Sequence, residues 1–236
     1  MNMKTICLLF CFIFAHSSFA KEHSCQNQKE DIWIDHVAIG VPQLEQGVKL
    51  FTEMTGLKPQ FGGRHENGVT GNYVLKIGAC MYLEIFGRVA DGTLPAYAKE
   101  LDHIKEAKVF YYVLGTNYMD KLSAKLNSLG IQYNNIGTSS RTRPDGIVLN
   151  WRVIGFDVSQ FGKLTPYVID WLGSEHPAIS SNGSDDTFAL FSLVHPQAAA
   201  LNEFLIKIGA KLRATKGSQK MSLTLNTPKG LLVIND

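Results

Sequence analysis

Ile34-Asp35-His36-Val37-Ala38-Ile39-Gly40-Val41 reads as a strand with an imidazole and a carboxylate set into it, and two further stretches continue the theme. Gly62-Gly63-Arg64-His65 is a glycine-rich basic segment, and Tyr82-Leu83-Glu84-Ile85-Phe86 places an acid between core-type residues. A carboxylate in a water-poor interior is costly unless it is paired, hydrogen-bonded or bound to a metal, so Glu84 asks for a partner. Strand alternation puts Asp35, Val37, Ile39 and Val41 on one face, the natural one to pack under a helix. His36, Ala38 and Gly40 share the other face, where the small neighbours leave room for a cavity.

Working outward, the strand is followed by Pro42 and a helix whose Leu44, Val48 and Phe51 fall on one side, with Gly56 marking its end. A second start follows at Val109-Phe110-Tyr111-Tyr112-Val113-Leu114, with a helix carrying Met119, Leu122, Leu126 and Leu129 that stops at Gly130. After it come Ser139-Ser140-Arg141-Thr142-Arg143-Pro144-Asp145-Gly146, read as a polar turn, and the strands 147–154 and 167–171. A third start runs over 188–194, with a helix from Pro196 and a hairpin over 221–234 around Thr227-Pro228-Lys229-Gly230. Counting back from the helix starts, Tyr111 falls where His36 does, and Asp170 is set against Glu84.

Composition bounds the class. The chain has 236 residues, 45% of them hydrophobic, enough to bury a sizeable core. Residues 1–20 read as a cleavable secretory signal peptide: Lys4 supplies the basic region, Ile6 to Ala15 the apolar run, and Ser18-Phe19-Ala20 the small residues before the cut. A membrane span needs roughly 20 apolar residues, and this run is too short. The mature chain is therefore expected to be secreted or periplasmic, with no membrane association after cleavage. Glu22-His23-Ser24 ahead of Cys25 lacks the apolar and small residues that lipid anchoring wants. Cys25 and Cys80 remain in the mature chain, able to form one disulfide in an oxidising compartment, with their distance left open.

With 23 basic and 21 acidic residues, and Lys4 removed with the leader, the mature chain carries +1. No basic block is dense enough to follow a phosphate backbone, which argues against nucleic acid. No Gly-x-Ser-x-Gly elbow, phosphate loop or cysteine nucleophile with a neighbouring histidine is present. His176 and His195, each ahead of a proline, read as local turn or cap residues. The expected organisation is a leader (1–20), an N-terminal linker (21–32), paired modules (33–172), a mobile linker (173–186) and a further βαββ module (187–236) packed on the same domain.

Taken in order, these motifs, together with Thr70-Gly71-Asn72, Leu149-Asn150-Trp151-Arg152 and Pro166-Tyr167-Val168-Ile169-Asp170-Trp171, resemble the vicinal oxygen chelate superfamily. Within it they resemble the glyoxalase-like domain proteins. The resemblance implies an α+β fold of repeated βαβββ modules, whose curled mixed sheets surround an open cleft with helices outside. It also implies a divalent metal, manganese, iron or zinc, held by His36, Glu84 and Asp170, with Tyr111 departing from the usual ligand pattern. Glu84 and His65 are then the proton-moving groups, and Arg64, His65, Asn72, Arg141, Arg143 and Trp151 the substrate-binding ones. The implied function is a metal-dependent lyase, isomerase or dioxygenase acting on a small oxygenated molecule. A non-catalytic protein that sequesters a small molecule in the same cleft is the alternative. A third reading has Glu84 merely paired with Arg64 or Arg152. A homodimer is compatible with each of these.

Overall fold

The computed structural model describes residues 25–236. The expected leader lies outside these residues. Strand β1 (Trp33–Gln43) runs directly into helix α1 (Leu44–Thr55), which buries Leu44, Val48 and Phe51. The helix stops where Gly56, at φ +76°, takes the left-handed conformation and donates its N–H to Thr52 O. Strands β2 (Gln60–Arg64), β3 (Thr70–Gly78) and β4 (Met81–Arg88) complete the first module.

The second module repeats the order as β5 (Lys108–Gly115), α2 (Met119–Ser128), β6 (Asn134–Thr142), β7 (Val148–Gly155) and β8 (Tyr167–Asp170). Together they form one eight-stranded sheet, in the order β2-β3-β4-β1-β5-β8-β7-β6. At its centre β1 and β5 run antiparallel, and each is parallel to the last strand of its own module, β4 and β8. The sheet curls without closing. Its edge strands β2 and β6 approach where Gly62 and Gly63 face the Arg141 side chain.

The segment expected to be a polar turn from Ser139 is strand as far as Thr142, and the chain reverses only at Pro144-Asp145-Gly146, where Arg143 N–H donates to Ile147 O. An edge strand pairs on one side only, so its sequence carries little apolar alternation.

Strands β9 (Phe188–His195), β10 (Ala214–Lys216), β11 (Lys220–Thr227) and β12 (Gly230–Asn235), with helix α4 (Ala198–Ile208), form the third unit. Its sheet order, β10-β9-β11-β12, differs from that of the first two, because β9 pairs in parallel with the short β10. Phe191, Leu193, Leu205 and Leu223 from this unit share one core with Val37, Ile39, Leu83, Ile85 and Tyr112 of the large sheet. That core occupies the helix side. The opposite, concave face carries His36, Ala38, Tyr82 and Glu84.

The connection through 173–186, expected to be mobile, is laid against the large sheet. It contains the short helix α3 (Pro177–Ser180), buries His176 and Ala178, donates through Asn182 to Lys58 O and pairs Asp185 with Lys76 at 2.9 Å. Cys25 and Cys80 form a disulfide that ties the N-terminal segment to the turn between β3 and β4. Among the described residues no helix is long and apolar enough to cross a membrane.

Candidate functional site

Glu84 sits at the centre of the concave face because strand pairing leaves it a gap. Parallel pairing of β4 with β1 sets Ala38 beside Glu84, and antiparallel pairing of β1 with β5 sets Tyr111 beside Ala38. The small alanine in the middle of this row lets the Tyr111 hydroxyl reach across and donate to Glu84 Oε2 at 3.0 Å. From β3, Asn72 Nδ2 donates to Glu84 Oε1 at 2.7 Å. The Asn72 carbonyl in turn accepts from Arg141 Nη1 at 2.5 Å, so a guanidinium of β6 is linked to the carboxylate through one amide. Gly62 gives this link its room, because a Cβ there would meet Asn72 Oδ1 and Arg141 Nη1 and force one of them to shift.

Two imidazoles flank the carboxylate. His65 Nε2 lies 3.6 Å from Oε1 and His36 Nε2 3.8 Å from Oε2. Burial alone pushes the Glu84 carboxyl up. The nearby His65 imidazole, electrostatic attraction to His36 and His65, and the Asn72 amide hydrogen bond outweigh it and lower the pKa to about 2. Glu84 is therefore an ionised carboxylate on the floor of a cavity of about 300 Å³. Tyr82, Tyr97, Tyr111, Trp151, Tyr167 and Trp171 supply aromatic walls, and Arg141 and Ser139 stand at the β6 side. Burial and then the Glu84 charge raise the Tyr111 hydroxyl well above the usual phenol range, so it stays a donor.

A second buried carboxylate lies behind the first. Asp35 is fully buried, and the β1–β5 register shifts between Ile34 and His36, so Asp35 does not follow the helix-facing side of its strand. Its Oδ1 bonds His36 Nδ1 at 2.7 Å, and its Oδ2 meets Trp171 Nε1 at 3.0 Å and His176 Nε2 at 2.9 Å. Burial pushes this carboxyl up, and electrostatic attraction to and the hydrogen bond from His176, followed by those of His36, bring it well below the usual carboxylate range. The Tyr82 ring stacks on His36 with centroids 4.5 Å apart.

Of the expected site residues, His36, His65, Asn72, Glu84, Arg141 and Trp151 meet in this cavity. Three others do not. Asp170 lies on the outer face, bonded to Arg152 at 3.0 Å, its cross-strand neighbour, and accepting from Leu172 N–H. Its assignment as the counterpart of Glu84 is three residues out. Ala38 and Val113 stand at the same distance ahead of their helices; Ala38 pairs with Glu84 and Val113 with Tyr167, so Tyr167 holds the matching position. Arg64 is exposed on β2 and does not line the cavity. Arg143 is engaged by Asp145, Glu175 and Ser180 in a neighbouring pocket. Neither Arg64 nor Arg152 is the partner of Glu84; Arg141 reaches it through Asn72.

The divalent metal implied by the resemblance does not fit this arrangement. Asp170 belongs to Arg152, the second module offers Tyr111 and Tyr167 at the ligand positions, and both Glu84 oxygens already accept a hydrogen bond. Among the described residues no group of three or more His, Cys, Asp or Glu side chains could hold a metal ion.

Several contributors lie beyond what sequence pattern indicates. Tyr97 comes from a 3-10 turn over Ala96–Asp102. Trp171 and His176 reach Asp35 from more than a hundred positions away. His176 does accept from Ala178 N–H as a local cap, as its place before Pro177 suggests, but its other nitrogen faces Asp35.

Comparison with known proteins bears on this geometry. A structure of a hypothetical protein from Staphylococcus aureus superposes with a TM-score of 0.64 at 13% identity, covering 86% of this chain and 98% of its own. Methylmalonyl-CoA epimerase from Mycobacterium tuberculosis gives 0.46 at 14% identity, covering 61% and 91%. Curated protein sequences give no match. The family profile described as a glyoxalase-like domain matches residues 34–209, from the start of the His36 strand to the end of α4. With most of its length matched and the paired βαβββ frame in place, the chain belongs to the glyoxalase-like domain family.

Proposed function

We propose that this protein is an exported lyase or isomerase that moves a proton on a small oxygenated molecule held in the Glu84 cavity. The observation that carries the reading is Glu84 itself. Nothing in the sheet requires an ionised carboxylate there, and its burial costs free energy that four polar side chains offset. Of the reactions expected for the family, proton transfer is the one these side chains support by themselves. Arg141, Asn72 and Trp151 hold and orient the ligand, and Glu84 fixes the charge of the site. His65, whose Nδ1 is held by Thr70 Oγ1 at 2.8 Å, carries the proton. The Cys25–Cys80 bond supports export, since such bonds persist in oxidising compartments.

One observation favours the sequestering alternative. A carboxylate whose pKa is about 2 is a weak base at neutral pH, better suited to anchoring a ligand than to taking a proton from it. The two readings separate in one experiment. Hydroxyketones, ketoaldehydes and catechols are incubated with the protein in D2O, followed by proton NMR, with thermal unfolding measured alongside. Exchange of a substrate C–H that disappears in Glu84→Gln and His65→Gln supports the enzyme. Stabilisation of about 2.7 kcal/mol at 100 times the dissociation constant, with no exchange, supports sequestration. Neither effect across the panel would sink both.

A further inference from the structure

The hydrogen bonds behind His36 determine which of its nitrogens carries the proton. The starting point is a backbone group whose role is fixed: Ala178 N–H donates to His176 Nδ1 at 3.1 Å, so that nitrogen carries a lone pair. The His176 proton is then on Nε2, which donates to Asp35 Oδ2. Trp171 Nε1–H, able only to donate, meets the same oxygen. Asp35 Oδ1 is left for His36 Nδ1 at 2.7 Å. A carboxylate only accepts, so His36 Nδ1 must bear a proton. The other ring nitrogen, Nε2, faces the cavity 3.8 Å from Glu84 Oε2, too far for a hydrogen bond between them.

We infer that Asp35 is a positioning residue that, with His176 and Trp171, locks His36 in the Nδ1–H tautomer and offers its Nε2 lone pair to the ligand. The cavity then selects a molecule that presents a donor to His36, such as a hydroxyl, an enol or an N–H. The inference rests on the cavity being a ligand site, as proposed above, and gives His36 the role of acceptor. It also gives the 173–186 segment a part in the site. His176 and Ala178 lie on it, so the connection to the third unit sets the polarity of a ring on β1. The stacked Tyr82 ring holds the imidazole plane while the Asp35 bond sets its rotation.

The test is a long-range proton–nitrogen NMR correlation of the histidine rings at neutral pH, assigned with His36→Gln and His176→Gln. In the wild type His36 is expected to carry its proton on Nδ1, leaving Nε2 as the lone-pair nitrogen, and His176 to carry its proton on Nε2. Asp35→Asn is the informative variant. Two fixed donors claim the amide oxygen at the Oδ2 position, so the amide NH2 faces His36 Nδ1 and the His36 proton must move to Nε2. The logic is that of the protease triad, in which the same replacement imposes the wrong histidine tautomer.

A wild-type His36 protonated on Nε2, or on both nitrogens, would overturn the assignment, as would an unchanged tautomer in a folded Asp35→Asn. Should that variant fail to fold, the wild-type spectrum still decides. Phenol and anisole then probe the acceptor. Phenol is expected to shift the Nε2 resonance and anisole is not; an equal effect from both, or from neither, contradicts the acceptor role. The tautomer is read without any ligand, so its failure is distinct from failure of the cavity as a binding site.

Discussion

The first module brings His36, His65, Asn72 and Glu84 to the cavity, whereas the second brings Tyr111, Trp151, Tyr167 and one charged side chain, Arg141. The backbone frame is the same in both halves, with β1 and β5 each parallel to its module's last strand. The difference lies in what the shared positions carry: Glu84 and Tyr167 occupy equivalent places, one a buried anion and the other an aromatic wall. A duplicated fold can thus divide its labour, concentrating charge in one half while the other closes the cavity. The halves are still not independent. Glu84 is sustained by two donors that trace to the second half, Tyr111 directly and Arg141 through Asn72.

The largest effect expected from breaking this asymmetry is at Asp35. Asp35→Ala removes the acceptor for His36, Trp171 and His176 at once and should cost about 3–5 kcal/mol, read by denaturant unfolding. Tyr111→Phe deprives Glu84 of a donor across the module boundary and should cost roughly 1–3 kcal/mol. Its counterpart variant Tyr167→Phe should stay within about 0.5 kcal/mol, and equal costs would mean that the two halves share the burden. Gly62→Ala displaces Arg141 from Asn72, and a loss of about 1–2 kcal/mol is expected. Any ligand found by thermal shift should also bind more weakly to this variant. The smallest effect belongs to Asp170→Asn, which disturbs only the Arg152 pair on the outer face. Asp170 is buried, but an amide keeps the acceptor for Leu172 N–H and Arg152 keeps Asp120, so about 1 kcal/mol is expected, with ligand binding unchanged; a loss of binding there would restore Asp170 to the site.

Particular residues show what was legible in the sequence. Pro42 and Gly56 bracket α1 and Gly130 follows α2, so the repeating frame could be read from punctuation and periodicity. The α4 start is shifted. Pro196 stands in the turn before Ala198 and is not the first helical residue. Glu84 was conspicuous because an acid among Leu83, Ile85 and Phe86 has to be neutralised by something. What it pairs with was not legible, since neither Arg64 nor Arg152 reaches it and the Arg141 link through Asn72 depends on how the β2 and β6 edges curl together. Asp170 was misassigned for a related reason: equivalence between modules is fixed by strand register, and a count from helix starts does not carry across the differing loops before β4 and β8. The Asp35–His176 contact spans 141 positions and leaves no local signal.

Glu84 is an ionised carboxylate held on the cavity floor, and the pH dependence of stability tests this without any substrate. Its folded-state pKa of about 2 lies below the ordinary value of 4.5, so the unfolded chain binds the proton more readily. The stability Glu84 contributes is therefore fully present above about pH 4.5 and is lost as the pH falls towards 2. Unfolding free energies of the wild type and Glu84→Gln, measured across this window, isolate the residue from Asp35, which acts in the same direction in both proteins. The wild type is predicted to lose its stability more steeply than the variant as acid is added. Parallel profiles would contradict the account, because they would mean that Glu84 is not held ionised in the folded protein.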